Sequence, residues 1–274
     1  IDSPIDVSIN SDFAANGDEL VGKIRTITDI TLSKSLQKVK LSGLTVDVDS
    51  TGTLIEDGKL KTSFKSDIDV DLAAQLVSSE KIAYSLSLAG DIAPVNPMEV
   101  SLESPMKMNL ASMVMDLPAM QYSIPGSKGT GSLTLSNLDK SMPTVKLTLA
   151  TDKFDATPWM TVATGNTSMN ATAQPESIEE LLLSIVSIHS ASAAEKSVPV
   201  EIPSELIRQL DVDAGLTIGS FIMDTLQATD VKAKLNAKKG VMRIDPFSAK
   251  LFGGLSTGTI ELDVRAETPK FSLK

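Results

Sequence analysis

The sequence of 274 residues contains no cysteine. That removes thiolate catalysis, Cys-ligated zinc and disulfides from consideration. It is compatible with an oxidising compartment without requiring one. There is one histidine, His189, so no multi-histidine metal site can form and any Ser-His-Asp constellation would have to use that residue. Aromatic residues are scarce, with 7 Phe, 2 Tyr and 1 Trp. Base-stacking platforms need more. Clustered basic residues are missing too. The net charge is −10, and its acidic excess lies entirely before residue 201. A surface for duplex nucleic acid has no counterpart here, and peripheral electrostatic attachment to an anionic bilayer is disfavoured. No window approaches the ~20 apolar residues of a membrane span. The chain opens Ile1-Asp2-Ser3-Pro4 with no leader pattern, and reads as a piece of a longer protein whose targeting segment is absent.

What the chain does have is alternation. Ile5, Val7 and Ile9 alternate with Asp6 and Ser8; Ile68, Val70 and Leu72 with Asp67, Asp69 and Asp71. Ile24, Ile27, Ile30 and Leu32 continue the texture, as do Val39, Leu41, Leu44, Val46 and Val48. Ile82 to Leu88, Leu133 with Leu135, and Val145, Leu147 and Leu149 repeat it. Period two puts one side of each strand in an apolar setting and the other in water. Turn pairs punctuate the runs: Asn16-Gly17, Asp57-Gly58, Gly90-Asp91, Pro125-Gly126 and Lys239-Gly240. The pattern predicts many antiparallel strands on short links. The dry faces must meet another sheet, the inside of a curled sheet, or a ligand.

Two stretches depart from it. Residues 94–125 concentrate Pro94, Pro97, Pro105, Pro118 and Pro125 with Met98, Met106, Met108, Met113, Met115 and Met120. Proline belongs at strand edges, ends or bulges, and methionine fills irregular space. An adaptable core patch or a soft wall for acyl chains would both use such a composition. Residues 161–199 form a break, Thr-, Ala- and Asn-rich at first, with an amphipathic helix expected at about 176–189. Ser177 would cap it, Glu179 and Glu180 would complement its dipole, and Ile178, Leu181, Leu182, Ile185 and Val186 would form its apolar stripe. Such a helix packs on a sheet end or plugs a β-surface.

Catalytic and metal signals are weak. Asp67, Asp69 and Asp71 have calcium-like spacing but sit on one strand face, without the glycine turn or closing glutamate of a calcium loop. Asp47 and Asp49 read the same way. The glycines of residues 126–131 precede a strand rather than a helix and read as a flexible turn, not a phosphate loop. Asn166 and Asn170 match glycosylation sequons. His189 has no nucleophile signature around it.

From Val200 the sequence resembles the carboxy-terminal module of the AsmA family. The resemblance is carried by Leu206-Ile207-Arg208-Gln209-Leu210-Asp211-Val212-Asp213-Ala214, then Val231 to Gly240. It continues through Ile244-Asp245-Pro246-Phe247-Ser248-Ala249-Lys250-Leu251-Phe252-Gly253-Gly254 and closes with Leu262 to Pro269. Phe252 stands where a tyrosine is common. A fainter echo lies at Ala150 to Asp155 with Trp159. The residues themselves agree: Ser204 is placed to cap a turn through Arg208, the runs from Val212, Val231 and Ile260 alternate, and Gly253-Gly254 suits a bulge or bend.

The resemblance implies an inner-membrane-anchored, periplasm-facing protein of a Gram-negative bacterium, linked to outer-membrane assembly. It also implies a long curled sheet whose apolar trough conducts phospholipid. The expected fold is mainly β: an elongated, curled antiparallel sheet with an apolar concave face and one or two short helices. Residues 1–160 form a repeated-strand region, 161–199 a linker, and 200–274 the family-like module, which either continues the first sheet or stands apart from it. No catalysis, cofactor, metal or nucleic-acid partner is expected. Expected partners are phospholipid or another acyl-chain lipid and a membrane reached through a segment outside this chain, to which the resemblance adds outer-membrane assembly proteins. The groove candidates are Met106, Met108, Val145, Leu147, Leu149, Leu216, Ile218, Val231, Leu235, Leu251, Ile260 and Leu262. The competing expectation is a structural or adhesive β-protein whose dry faces close on one another without a lipid.

Overall fold

In the computed structural model, residues 5–15, 20–55, 58–90, 93, 95–140, 142–160, 204–266 and 268–274 are described. The expected helix at 176–189, His189 and both sequons lie outside them. The strands are β1 (Ile5–Ala15), β2 (Leu20–Leu32), β3 (Lys38–Thr51), β4 (Lys59–Asp71), β5 (Leu76–Ala89), β6 (Met98–Asn109) and β7 (Val114–Ile124). They continue with β8 (Ser127–Ser136), β9 (Thr144–Asp155), β10 (Asp211–Met223), β11 (Leu226–Lys238), β12 (Val241–Leu251), β13 (Gly254–Asp263) and β14 (Lys270–Leu273). Two short helices, α1 (Thr157–Met160) and α2 (Ser204–Arg208), lie at opposite ends of the sheet.

All fourteen strands form one sheet in sequence order, and it does not close into a barrel. Every neighbouring pair is antiparallel except β9 and β10, which run parallel. The expected mainly β, antiparallel sheet is thus present, with β9–β10 the one parallel pair among the described strands. That pair joins the two halves into one sheet, with Val145 opposite Val212 and Leu149 opposite Leu216. A parallel neighbour arises because the chain leaves β9 at one end of the sheet and enters β10 at the other. The exit is pinned where Ala156 N donates to Ile222 O at 2.7 Å and Asp224 N donates to Thr157 Oγ1 at 3.1 Å. At the entry, Ile207 of α2 packs with Val264, both fully covered, against Met242 and Leu262. Arg208 Nε donates to Val264 O at 2.9 Å.

The strands are long, and register breaks interrupt them along a line across the sheet. In β3 the break falls at Ser42-Gly43, where Gly43 has φ 63°; in β5 beside Ser79, and in β7 at Pro118-Ala119. In β12 it falls at Asp245-Pro246. Pro105, Pro118 and Pro246 therefore occupy positions where a missing N–H costs no ladder bond. A bulge inserts one residue and bends the strand. The flanking sequence changes phase, from Val39 and Leu41 to Leu44, Val46 and Val48, so that the same side of β3 stays apolar in space.

Small hydroxyl residues occupy the crease. Thr28, Ser66 and Ser104 are buried, lie on β2, β4 and β6, and are equally spaced along the chain. Thr28 Oγ1 donates to Ser42 O, Ser66 Oγ shares a 2.8 Å hydrogen bond with Ser79 Oγ, and Ser104 Oγ donates to Pro105 O. Each hydroxyl meets polar partners where the ladder is disturbed, as burial requires. The deeply buried apolar residues flank the same breaks: Ile82, Leu117 and Met120 in one cluster, Ile218, Ala228, Val231 and Ala249 in another. Extended contacts between strands run only between sheet neighbours, so among the described residues no second sheet covers these side chains. Burial on an uncovered face means that neighbours on the same face rise around it. The register breaks and the buried side chains beside them mark one crease across the apolar face of the sheet.

A candidate apolar face for acyl chains

The registers place one apolar side chain from each of thirteen strands in a continuous cross-strand row. It runs Leu32, Val39, Val70, Val77, Met108, Met115 and Leu135 across β2 to β8. It passes to Val145 and Val212, then Ala237, Met242, Leu262 and Phe271 on β14. No polar residue interrupts it. All but Ala237 keep part of their surface in water. A second row on the same face joins Leu117, Leu133, Leu147, Ala214, Leu235, Ile244, Ile260 and Leu273. Shifting by one residue reaches the other face. There the row reads Thr31, Lys40, Asp69, Ser78, Lys107, Asp116, Thr134, Lys146, Asp213, Asn236, Arg243, Glu261 and Ser272, polar throughout.

All twelve sequence candidates lie on the apolar face. Met106 and Met108 come from β6, Val145, Leu147 and Leu149 from β9, Leu216 and Ile218 from β10. Val231 and Leu235 come from β11, Leu251 from β12, Ile260 and Leu262 from β13. Ile218 and Val231 are 5% and 9% exposed and belong to the crease core; a ligand on this face would lie over them rather than against them. The other ten are half-buried. Sequence reasoning missed the amino-terminal continuation of the rows through Val39, Val70 and Val77. Its signal was the same alternation, which is plain at Val39 and Val70.

Polar points on the apolar face are small hydroxyls, most of them partnered; the Ser50 hydroxyl is buried without a hydrogen-bond partner. Ser127 Oγ and Thr151 Oγ1 are 3.0 Å apart, and Thr151 also donates to Lys128 O at 2.6 Å. Burial pushes the Tyr122 phenol above its ordinary range, partly offset by a hydrogen bond with Ser127, so it stays neutral. The glycine-rich stretch is not a flexible turn. Only Pro125-Gly126 form the turn, and Gly129 and Gly131 are strand residues of β8, where a Cβ would collide with the β9 backbone.

The polar face carries ion pairs across neighbouring strands, including Lys61–Asp49 at 3.4 Å, Lys81–Glu103 at 2.8 Å and Lys250–Asp230 at 2.7 Å. Exposed pairs of this kind add at most about 1 kcal/mol each; their consequence is register and a wetted outer surface. The three aspartates of β4 separate in role. Asp67 accepts from Gly43 N at 2.7 Å, Asp71 accepts from Ala74 N at 2.9 Å and pairs with Lys38, and Asp69 stands opposite Lys40. Among the described residues no cluster of acidic or histidine side chains is arranged to hold a metal, and no helix is long and apolar enough to cross a membrane.

An open sheet with an unbroken apolar row on one face and charged residues on the other defines a class of β-proteins that present surface rather than enclose it. The model of the AsmA family matches residues 41–274, and the chain belongs to that family. The match reaches well upstream of the module in which the motifs are legible. No curated protein and no solved structure matches the chain. The family is a membrane-associated bacterial one, and membership suggests a role in outer-membrane assembly or lipid transport.

Proposed function

We propose that this chain is the periplasmic portion of an inner-membrane-anchored protein that supports outer-membrane biogenesis by holding or conducting phospholipid acyl chains along its apolar face, without catalysis. The observation that carries the reading is the thirteen-residue apolar row, continuous from β2 to β14 and still partly exposed. Each methylene transferred from water to an apolar surface contributes about 0.8 kcal/mol when fully buried. A surface with no polar interruption lets a chain shift from strand to strand without a large barrier, which suits movement as well as binding. The closed-core alternative is disfavoured by the single-layer sheet, because among the described strands there is no second sheet to close against.

Photo-crosslinking tests this reading. A photoreactive residue at Leu147 or Leu235, on the apolar face, should yield phospholipid adducts in intact cells. The same residue at Thr148 or Asn236, one position away on the polar face, should yield none. Equal labelling from both faces, or no lipid from either, refutes the proposal. Native mass spectrometry of the purified chain should show copurified phospholipid.

A further inference from the structure

Most glycines of the sheet are explained by their surroundings. A Cβ at Gly22, Gly129, Gly131 or Gly219 would press on the backbone of the next strand, and Gly43, Gly126 and Gly240 take a positive φ. Gly215 fits neither case. It lies inside β10 without a positive φ, and the nearest atom to a Cβ placed there is Thr148 Cγ2 at 3.8 Å, an ordinary contact. Glycine weakens a strand interior. One that the fold does not require marks a place where something approaches the backbone closely.

The residues around Gly215 say what approaches. Side chains two apart along a strand share a face. The registers set Gly215 between Thr148 on β9 and Lys234 on β11, with Lys146 and Asp213 on one side and Thr217 and Lys232 on the other. All stand on the outer, polar face, where they line an open cavity of about 530 Å³ that Pro246 of β12 bounds. Neighbouring strands are about 4.8 Å apart and same-face residues of one strand about 6.6 Å, so the flexible stems of the three lysines reach over the glycine. Lys146 and Lys232 form no ion pair among the described residues, because Asp230 pairs with Lys250 at 2.7 Å and Asp213 lies nearest Lys234, at 4.0 Å. Thr148 Oγ1 accepts from Ser132 Oγ at 3.2 Å, which leaves its own hydroxyl hydrogen to donate. Three ammonium groups against one carboxylate give this patch a positive excess in a chain of net charge −10.

The geometry points to a binding site for a soluble phosphate monoester on the outer face, its oxygens over Gly215 and held by Lys146, Lys232 and Lys234, with Thr148 donating a hydrogen bond. A phosphate monoester carries a charge of about −1.5 to −2 near neutral pH, which matches the local excess. Its oxygens accept only, and the ammonium groups donate only. A lipid headgroup fits poorly, since the apolar rows lie on the opposite face and acyl chains joined to a headgroup here would stand in water. The site does not depend on the acyl-chain reading, because it uses none of the apolar side chains.

The test follows the Gly215 amide of the full chain by heteronuclear NMR during titration with glycerol 3-phosphate, with glycerol as the control. The amide should shift with the phosphate and not with glycerol. Lys146→Gln and Lys232→Gln should each lower affinity about tenfold, the size of one hydrogen bond to a charged group. Lys65→Gln, the same charge change on β4 outside the cavity, should leave affinity within about twofold, as exposed and distant charges are screened. Gly215→Ala should weaken binding severalfold without lowering the melting temperature, since its Cβ has room. A second arm uses phosphatidylcholine vesicles doped with phosphatidic acid, which should not bind through these lysines. No shift at Gly215, equal loss in Lys65→Gln, a Gly215→Ala variant that loses stability but keeps affinity, or vesicle binding that Lys146→Gln abolishes would each overturn the proposal.

Discussion

Replacing Leu235 with aspartate should cut lipid affinity in a way its neighbour cannot imitate. Leu235 lies between Ala214 and Ile244 in the second apolar row and is half-buried. Neighbouring strands are about 4.8 Å apart, so an acyl chain running across the strands lays roughly four methylenes over each one. With about half of each methylene against protein, one crossing contributes about 1.6 kcal/mol, which corresponds to roughly 15-fold in affinity. Leu235→Asp removes that contact and puts a hydrated carboxylate in the path. The control is Asn236→Asp, which adds the same charge one residue away, facing Asp213 and Arg243 on the outer side. Affinity for a fluorescent long-chain phospholipid should fall roughly 15-fold in the first variant and by less than about twofold in the second, with thermal unfolding used to confirm that both remain folded. Equal loss in both would make the effect one of net charge. No loss in either would show that acyl chains do not run over β11, and the surface argument would fail.

Three further outcomes follow from the packing. Asp263, hydrogen-bonded to the Arg265 guanidinium and backbone, is pulled down to about 2. A depressed folded value means that its contribution is present above the unfolded carboxylate range, near 3.8, and is lost as pH falls through about 2, so the melting-temperature gap between the wild type and Asp263→Asn should be present at pH 7 and vanish over that interval. Gly129→Ala brings a Cβ onto the Ala150 carbonyl and the Tyr122 ring, and should cost about 1–3 kcal/mol in denaturant unfolding. Ser66→Ala removes one partner of the buried Ser66–Ser79 pair; with Ser79 still accepting from Lys81 N at 3.2 Å, the loss should be about 1 kcal/mol rather than several.

Much of the sheet was legible because alternation is a local signal. Ile68, Val70 and Leu72 against three aspartates can be read without knowing their neighbours. What could not be read was anything decided by pairing between strands. Parallel β9 and β10 depend on where a long connection returns, and nothing in Lys146 or Asp213 announces that they will lie side by side. The bulges were half legible. The phase change between Leu41 and Leu44 is plain in the sequence, and Pro118 inside an apolar run implies a broken ladder, but their alignment into one crease is a property of the assembled sheet. A repeat also went unextracted. Asp71-Leu72-Ala73-Ala74 and Asn109-Leu110-Ala111-Ser112 form equivalent turns, each closed by an aspartate or asparagine side chain accepting from the residue three positions on, at 2.9 Å. Each turn also ties to the one before, Leu72 N donating to Gln37 O and Leu110 N to Gln75 O.

The bulges bear on why the apolar face is continuous at all. An unmatched bulge would send every later apolar residue of its strand to the wrong face, because the side-chain period is two. In β3, β5, β7, β11 and β12 the sequence changes phase where the register breaks, and the hydroxyls of Thr28, Ser66 and Ser104 occupy the crease between them. Stability alone asks for less. The deeply buried clusters flank the crease, and a sheet could keep them while letting polar residues into the row that begins at Leu32 and ends at Phe271. That row lies away from the crease and, apart from Ala237, Met242 and Leu262 beneath or beside the α2 cluster, contributes little to the buried clusters, and yet stays apolar on all thirteen strands. A pattern held where burial does not demand it is better explained by what slides over the surface than by what lies beneath it. Single polar substitutions such as Met115→Gln or Leu135→Gln should therefore change unfolding free energy by less than about 1 kcal/mol while lowering lipid occupancy measurably; loss of stability without loss of occupancy would reverse the argument.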